Sequence, residues 1–381
     1  MDTITHGIAG LLIGKAFFSD RWGPAATVAA TVGAVFPDVD SVADVFSRSP
    51  VSFFEYHRGI THSFVAMPFF ALGLGALIWW LARKRGARAS FWALVAAALA
   101  GIASHILLDG LTAYGTRIWE PISWVRVSWD WLFIVDPILT ALLLVPQVAS
   151  WVQRDKEKAF WRALAMWALF TVLAVLAWGG EWAVGSSVSF RIVPVASVVL
   201  AAVFFLPSYG GRFFQWTRRE WCMAGLVLAV LYIGLCGFEH HLALERVRAF
   251  ARSQSRPVER FAAVPLPPSP VEWNGLVLTP GGVYGTRFDV DGDRPVRFRF
   301  LRDSPMNSFI EKAYQLPAVK TYLGFARFPV VRFHPVGNRD IVDFFDIRFF
   351  NYEEREGPRP FVYRVVFSND GRLLKQGLLT R

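Results

Sequence analysis

The sequence predicts a membrane α-helical bundle with a C-terminal extracytoplasmic β-rich domain. Of the 381 residues, 54% are hydrophobic and only 18% are charged, a balance typical of integral membrane proteins. The apolar residues are unevenly distributed, because long apolar runs fill residues 1–238 whereas residues 239–381 resemble a soluble segment. Together, the composition and this division predict two structurally different parts.

Six apolar runs are long enough, or nearly so, to cross a bilayer as helices. They cover residues 64–82, 91–108, 132–151, 160–182, 190–207 and 221–238. Two shorter runs, 7–19 and 24–36, flank a polar segment. Since each is shorter than a full span, we expect a short N-terminal helical hairpin buried among about six full spans.

Basic residues in the short loops predict the orientation. Lys and Arg concentrate in three connections, around residues 83–88, 154–162 and 212–219. If the six long runs all span, these loops lie on one side, and the positive-inside rule makes that side cytoplasmic. Residues 37–63 and 105–136 must then face outward, as must everything after residue 238.

Beyond residue 238 the pattern changes. Residues 239–270 predict an amphipathic helix followed by a Pro-rich linker. Alternating residues in Val296–Phe300 and Phe361–Phe367 predict strands, and the second is followed by a Ser-Asn-Asp-Gly turn. We therefore divide the chain into a membrane domain (1–238), a helix and linker (239–270), and a small antiparallel β domain (271–381).

The net charge of +10 does not by itself indicate nucleic-acid binding. Residues 1–238 hold 18 Lys and Arg against 14 Asp and Glu, and the remainder holds 22 against 16. No basic block with interleaved aromatic residues stands out. The excess of basic residues fits membrane topology and binding to anionic lipid better, so we expect a membrane partner and no nucleic acid.

Cys222 and Cys236 lie about 21 Å apart on one helical run and cannot pair with each other.

His105 and Asp109 form the sharpest pair of chemically active residues. A separation of four residues on a helix places both side chains on one face, about one turn apart. Both could then bind one ion, or one could orient the other. The structural alternative is a hydrogen bond at the end of a helix.

Asp38 and Asp40 follow Pro37 at the end of an apolar run. In extended geometry alternate residues share a face, so both carboxylates could point at one cation. The alternative is a turn or a helix cap, where Asp is common. Two close carboxylates repel each other unless a cation or a shared proton lies between them.

His57 and His62 lie five residues apart, about 140° round a helix, so one continuous helix does not align them. Gly59 permits a bend, which places His57 on a loop and His62 at a helix start capped by Thr61 or Ser63.

His6 begins the first short helix, and the sequence leaves its role open. Asp130 and Asp136 are ligands, supporting groups or interface anchors.

Four motifs occur in a fixed order: Thr5-His6-Gly7, Phe36-Pro37-Asp38-Val39-Asp40, the segment from His57 to Ser63, and Ser104-His105-Ile106-Leu107-Leu108-Asp109. Together they resemble the bacterial membrane-bound metal-dependent hydrolases, the YdjM-like inner-membrane proteins. That family is thought to be distantly similar to zinc-dependent phospholipase C and the S1/P1 nucleases. The resemblance covers about residues 1–140. It implies that His6, Asp38, His62, His105 and Asp109 bind metal, with His57 and Asp40 close by.

The sequence thus predicts a zinc-dependent hydrolase in the bacterial inner membrane, with one or more ions. We expect it to cleave a phosphoester of a lipid or envelope substrate with metal-activated water at the outer leaflet. Asp40 or His57 is the expected general base, and Arg58 the expected phosphate clamp.

Two alternatives to the hydrolase remain. One is a metal-binding transporter or sensor, because intramembrane His and Asp also serve ion pathways. The later apolar runs offer only Glu181 for such a path. The other is a scaffold with a structural metal, whose β domain binds an envelope protein.

Overall fold

Contacts divide the chain into two compact units. The structure, a computed structural model, describes residues 1–47, 49, 51–183, 190–209, 216–290, 292, 296–349 and 361–379. The first unit, called the helical unit, contains Met1–Asp38, Ile60–Gly237 and Pro267–Glu272. The second, called the sheet unit, contains Val39–Gly59, Phe238–Leu266 and Trp273–Arg381. The second unit therefore includes a segment from near the N-terminus.

Most of the described residues among the first 253 are helical, apart from the connection 111–136. In chain order the helices are α1 (Thr3–Ile13), a π-helical segment (Gly14–Phe18), α2 (Ser19–Trp22), α3 (Pro24–Val35), a 3-10 turn (Phe36–Val39), α4 (Asp40–Phe46), α5 (Ser52–Tyr56), a 3-10 turn (Ile60–His62), α6 (Met67–Lys84), α7 (Phe91–Gly110), α8 (Pro137–Val152), α9 (Ala159–Ala183), α10 (Ile192–Tyr209) and α11 (Arg218–Ser253). The predicted amphipathic helix after residue 238 is a continuation of α11 rather than a separate element.

Among the described residues, length and composition identify four helices that can cross a membrane: Pro24–Val42, Phe91–Gly110, Ala159–Gly180 and Arg218–Ser253. The pair Ser52–His62 and Met67–Lys84, bent by 74°, adds a fifth if it is one broken span. α8, with 16 residues, is about 24 Å long, less than the hydrocarbon core. The structure thus has several apolar helices, while the number of six full spans is not confirmed.

The two short N-terminal runs form paired helices joined at Gly23. α1 packs closely on α3, because a Cβ at Gly10 would lie 2.5 Å from the Cβ of Ala34. The second arm is longer than the sequence predicts, since the 3-10 turn extends it to the 19 residues of Pro24–Val42. The expectation that this arm is shorter than a span is therefore wrong.

Small residues bring α3 and α7 into close contact. A Cβ on Gly33 would lie 2.4 Å from the Ala98 carbonyl oxygen, and one on Gly101 would lie 2.1 Å from the Ala30 carbonyl oxygen. Without side chains at these positions the two backbones approach closely, as is common between membrane helices. This contact fixes the end of α3 beside the last turns of α7.

A second seam joins α1 to α8 and α11. Its buried apolar residues include Leu12, Leu139 and Leu143 together with both cysteines. Cys222 and Cys236 are buried and unpaired with each other, as their helical separation predicts. These contacts hold the N-terminal helix in the interior of the helical unit.

The described residues of the sheet unit form two four-stranded antiparallel sheets. The first has the order β1-β2-β3-β4 and the second β5-β6-β7-β8. The strands and helices are β1 (Arg260–Pro265), β2 (Glu272–Thr279), β3 (Gly282–Asp289), β4 (Arg299–Arg302), α12 (Ser308–Gln315), α13 (Pro317–Phe325), β5 (Pro329–Val336), β6 (Arg339–Asp346), β7 (Tyr363–Ser368) and β8 (Leu373–Leu378). The C-terminal antiparallel β structure predicted from alternation is confirmed.

Details of this unit differ from the sequence prediction. β1 lies in the segment assigned to a linker, because its apolar residues pack on α11: Ala263 shares a buried cluster with Ala243 and Val247. The strand predicted from residue 296 begins at Arg299. The predicted turn after β7 is present, with Gly371 at φ 85°.

The segment Val39–Gly59 packs within the sheet unit. Phe54 on α5 is 1% exposed, and its ring lies 4.8 Å from that of Phe325 and 5.3 Å from that of Tyr322, both on α13. The sequence assigns this segment to the membrane domain because it connects two apolar runs. Phe54 instead lies in the core of the sheet unit.

We predict that Gly101→Ala destabilises the helical unit by about 1–3 kcal/mol, the usual cost of overpacking. The added Cβ would overlap a backbone carbonyl, which cannot rotate away. Gly73→Ala is the matched control, because that exposed glycine of α6 has nothing within 4 Å of the added Cβ. Thermal unfolding in detergent measures both. Equal unfolding temperatures for the two variants would contradict the close α3–α7 contact.

Candidate metal centre

α7 carries two groups of the candidate centre on one face. His105 and Asp109 are both fully buried, and His105 Nε2 lies 3.5 Å from Asp109 Oδ2. This is the arrangement that four-residue spacing on a helix predicts. Both side chains point into the helical unit rather than towards lipid.

His62 reaches the same place from a different element. It ends the 3-10 turn Ile60–His62 and is fully buried. Its Nε2 lies 3.0 Å from His105 Nε2 and 3.2 Å from Asp109 Oδ2. The sequence prediction of a helix starting near residue 62 is wrong, because α6 begins at Met67 with Ala66 as its N-cap.

Asp38 completes the cluster from the end of α3. Its Oδ1 lies 3.5 Å from His105 Nε2 and 3.7 Å from His62 Nε2. Its other oxygen accepts a hydrogen bond of 2.5 Å from the Thr3 hydroxyl. The predicted extended geometry is wrong here, because Phe36–Val39 is a 3-10 turn and α4 begins at Asp40.

The four side chains have the spacing of a tetrahedral metal site. One ligand atom from each lies within 4.8 Å of every other, and the five distances above run from 3.0 to 3.7 Å. A tetrahedral ion bound at about 2.0–2.1 Å sets its ligands about 3.3–3.4 Å apart. Asp38, His62, His105 and Asp109 can therefore hold one metal ion.

Hydrogen bonding shows that the cluster consists mainly of acceptors. His105 Nδ1 lies 2.6 Å from the carbonyl oxygen of Ala34, so it must carry the proton it donates. In the neutral ring Nε2 is then an acceptor. Carboxylate oxygens also accept, and a proton on His62 Nε2 would satisfy one of its three acceptor neighbours. A cation at the centre would interact favourably with all of them.

The helix ends supply the groups that orient the ligands. Ala34 lies in the last turn of α3, where carbonyls lack a partner within the helix, and this carbonyl fixes the His105 ring. Thr61 Oγ1 lies 3.0 Å from His62 Nδ1. Thr3 holds Asp38 in the same way, so each of these three candidate ligands has an orienting partner of the kind common around metals.

His6 lies beside the cluster but contacts the other carboxylate oxygen of Asp109, Oδ1, rather than the oxygen that faces His62 and His105. Its Nε2 is 3.2 Å from Asp109 Oδ1, and its ring stacks on His105 with centroids 3.6 Å apart. The N-terminal amine of Met1 also contacts Asp109 Oδ1. His6 is fully buried. It is outside the four-residue group, and its expected role as a metal ligand stays a prediction.

Asp40, His57 and Arg58 form a separate cluster in the sheet unit. Asp40 Oδ1 lies 3.0 Å from His57 Nδ1, and its Oδ2 accepts a 2.8 Å hydrogen bond from the Arg58 backbone N–H. Arg58 is buried and has φ 59°, so Arg58 rather than Gly59 adopts the left-handed conformation at the bend. A non-glycine residue in this conformation is uncommon.

Asp136 and Asp130 lie outside the four-residue group. Asp136 caps α8 through the Leu139 N–H at 2.9 Å and accepts from the Tyr232 hydroxyl at 2.8 Å. Asp130 accepts from the Ser128 hydroxyl at 2.5 Å and has φ 58°. Both carboxylates hold the connection between α7 and α8 in shape.

Sequence reasoning missed several polar groups. Thr3 shares a helix face with His6 at a spacing of three residues, which is the signal that could have identified it. The orienting carbonyl of Ala34 leaves no trace in residue identity. Lys15 and Gln147 form a 3.0 Å hydrogen bond within the helical unit, and Lys15 lies in a π-helical segment, a feature that often marks a functional position.

Comparisons with known proteins agree with the membrane assignment. Residues 1–183 match the family model described as YdjM inner membrane protein. A Bacillus subtilis (strain 168) relative, described as uncharacterized protein YfhP, is 27% identical over 146 residues. The match covers 36% of this chain and 43% of the relative, so the chain spans less than half of that protein. No solved structure matches significantly. The YdjM match and the apolar helices support an inner-membrane protein.

We predict that Thr3→Val, which removes only the hydroxyl, weakens metal binding about 10–100-fold, as loss of an orienting partner typically does. Asp38 would keep its charge but lose the bond that fixes its second oxygen. Thr31→Val is the control, since the Thr31 hydroxyl bonds the Thr27 carbonyl within α3. Competition with a chelator of known affinity measures both variants. Unchanged affinity in Thr3→Val would show that this hydroxyl does not position a ligand.

Proposed function

We propose that the protein is a zinc-dependent hydrolase of the bacterial inner membrane that cleaves a phosphoester of a lipid or lipid-linked envelope substrate. The convergence of Asp38, His62, His105 and Asp109 carries this proposal. Two imidazoles and two carboxylates suit zinc, and structural zinc sites rich in thiolate are a different class. The cluster lies in the part of the chain that matches the YdjM family model.

A zinc ion held there would supply a lowered pKa for a water molecule and an opposing charge for phosphoryl oxygens. The buried ligands would keep the ion in a fixed position. Four protein ligands leave no open tetrahedral position, so substrate or water requires a fifth position or displacement of one carboxylate. Asp38, whose side chain is 13% exposed, is the most accessible of the four.

We assign the general base to His57, with Asp40 as its positioning residue. Asp40 accepts from Nδ1–H of His57, so Nε2 of the neutral ring carries no proton and is an acceptor. The His57 ring is stacked on Phe53 with centroids 4.9 Å apart and is 17% exposed. Arg58 is retained as the phosphate clamp expected from sequence, because guanidinium binds phosphate oxygens bidentately.

The proposal includes the orientation and the partners expected from sequence. The site and the C-terminal domain lie outside the cytoplasm, as the basic loops indicate. A lipid phosphoester is the natural substrate at that level of the membrane. The sheet unit is then placed to bind an envelope protein. The distant similarity to zinc-dependent phospholipase C and the S1/P1 nucleases remains part of the same hypothesis.

A metal-binding transporter or sensor is the second candidate, and one observation favours it. Lys15 and Gln147 add polar groups to the helical unit, and Gln147 also donates to the Ile8 carbonyl at 3.2 Å. The side chain of Glu181, considered in the sequence analysis, lies outside the described residues. A scaffold with a structural metal is the third candidate. The transporter or sensor and the scaffold both predict a bound metal ion without hydrolysis of a phosphoester.

The direct test measures metal and turnover together in lipid nanodiscs. We expect bound zinc and release of phosphorylated headgroups from phosphatidylglycerol or phosphatidylethanolamine, and loss of both in His105→Ala with the fold retained. His334→Ala is the control, because that partly buried histidine lies on β5, outside the candidate metal centre. Bound metal with no turnover of any phosphoester would support the transporter or scaffold instead.

A second test concerns the proposed base. We predict that His57→Gln keeps its metal but lowers turnover about 10²–10⁴-fold, the usual contribution of a general base. His334→Gln is the matched control, because His334 Nε2 also lies near a carboxylate, 3.9 Å from Asp343 Oδ2. Turnover and metal content are measured on the same samples. Full turnover in His57→Gln would remove His57 from the mechanism.

A further inference from the structure

The connection between α7 and α8 exposes large apolar side chains. It covers residues 111–136, and its central part, residues 117–129, is called the tryptophan loop. Trp119 is 50% exposed, Ile122 78%, Trp124 64% and Val125 67%. Four such side chains within seven residues form an apolar surface of the kind that marks an interaction site.

The exposure does not come from a loosely held chain. The backbones of Thr116 and Val127 exchange two hydrogen bonds of 2.9 Å, and the Phe64 N–H donates to the Ile118 carbonyl at 3.0 Å. The Ser63 hydroxyl also donates to the Glu120 carbonyl at 2.5 Å. The loop is thus bound to the helical unit at its base and at its middle, while its four exposed apolar side chains point away from the unit.

The depth of the loop follows from its attachment to α7. The Trp129 N–H donates to the Gly110 carbonyl at 2.9 Å, and the Trp131 N–H donates to the Leu111 carbonyl at 2.8 Å. Gly110 ends Phe91–Gly110, one of the four helices able to cross a membrane. The base of the loop therefore lies at a span end, where the headgroup region begins and where Trp is enriched.

The side chains of the loop suit that region. The Arg117 guanidinium lies 5.5 Å from the centre of the Trp124 ring, so a cation and an amphipathic ring share one surface. Such groups keep their polar ends in the headgroup layer while apolar parts enter the acyl layer. A bilayer thus provides both environments at once.

We propose that the tryptophan loop inserts Trp119, Ile122, Trp124 and Val125 into the bilayer interface and delivers lipid to the metal centre. The connection that carries the loop begins two residues after the candidate ligand Asp109, and the loop itself is bound to Ser63, the neighbour of His62. Lipid that packs against the loop is therefore beside two of the four ligand positions. The delivery role rests on the proposed function, whereas the insertion does not.

The test uses the full chain in nanodiscs of phosphatidylcholine and phosphatidylglycerol. Ile122→Cys is labelled with an environment-sensitive fluorophore, and the exposed Lys156→Cys is the control on a charged loop. Cys222 and Cys236 are buried, and labelling of the unchanged protein measures their background. A nitroxide on the lipid acyl chains quenches the fluorescence of a label inside the bilayer, and iodide quenches the fluorescence of a label exposed to water.

We expect the lipid nitroxide to quench the label at residue 122 at least threefold more than the label at residue 156, with the order reversed for iodide. Equal iodide quenching at both positions would overturn the proposal, because the loop would then lie in water. Protection from both quenchers would overturn it too, because a protein surface such as a second copy would then cover the loop.

Delivery is tested separately with a variant that has serine at residues 119, 122, 124 and 125. The ratio of turnover on vesicle lipid to turnover on a water-soluble phosphodiester should fall at least tenfold. An unchanged ratio would exclude delivery. If neither substrate is hydrolysed by the unchanged protein, the proposed function fails, while the fluorescence result still decides whether the loop is inserted.

Discussion

The cluster of acceptor atoms buried near the end of α7 constrains the rest of the helical unit. His105 donates through Nδ1, so its Nε2 joins two carboxylate oxygens in facing His62. Acceptors buried together are unfavourable unless a positive charge lies among them. The Met1 amine supplies a positive charge at Asp109 Oδ1, and a divalent cation would compensate the four ligand atoms from one position.

The packing of α3 against α7 makes this convergence possible. Gly33 and Gly101 let the backbones meet, which brings both the Ala34 carbonyl and Asp38 to His105. The 3-10 turn at Phe36–Val39 then directs the Asp38 carboxylate inward and Thr3 holds it. Features that serve only packing in many membrane proteins here determine the distances between candidate ligands.

Different parts of the molecule were predictable to different degrees. The His105–Asp109 pair follows from helical periodicity, and the β-rich region from alternation, because both are local patterns. Asp38 was found as a candidate, but its conformation depends on packing and not on local sequence. The assignment of Val39–Gly59 to the sheet unit depends on Phe54 contacting α13, a long-range contact that no sequence pattern records. Ala34 acts through a backbone carbonyl and was missed for the same reason, whereas the three-residue spacing of Thr3 from His6 is a signal that the sequence does contain.

X-ray absorption at the zinc edge of the purified protein tests the central claim most directly. The account predicts one shell of nitrogen and oxygen neighbours at about 2.0–2.1 Å, with the outer-shell scattering of two imidazoles, and one imidazole fewer in His62→Ala. A shell containing sulfur, scattering without imidazole, or a spectrum unchanged in His62→Ala would contradict a metal held by Asp38, His62, His105 and Asp109.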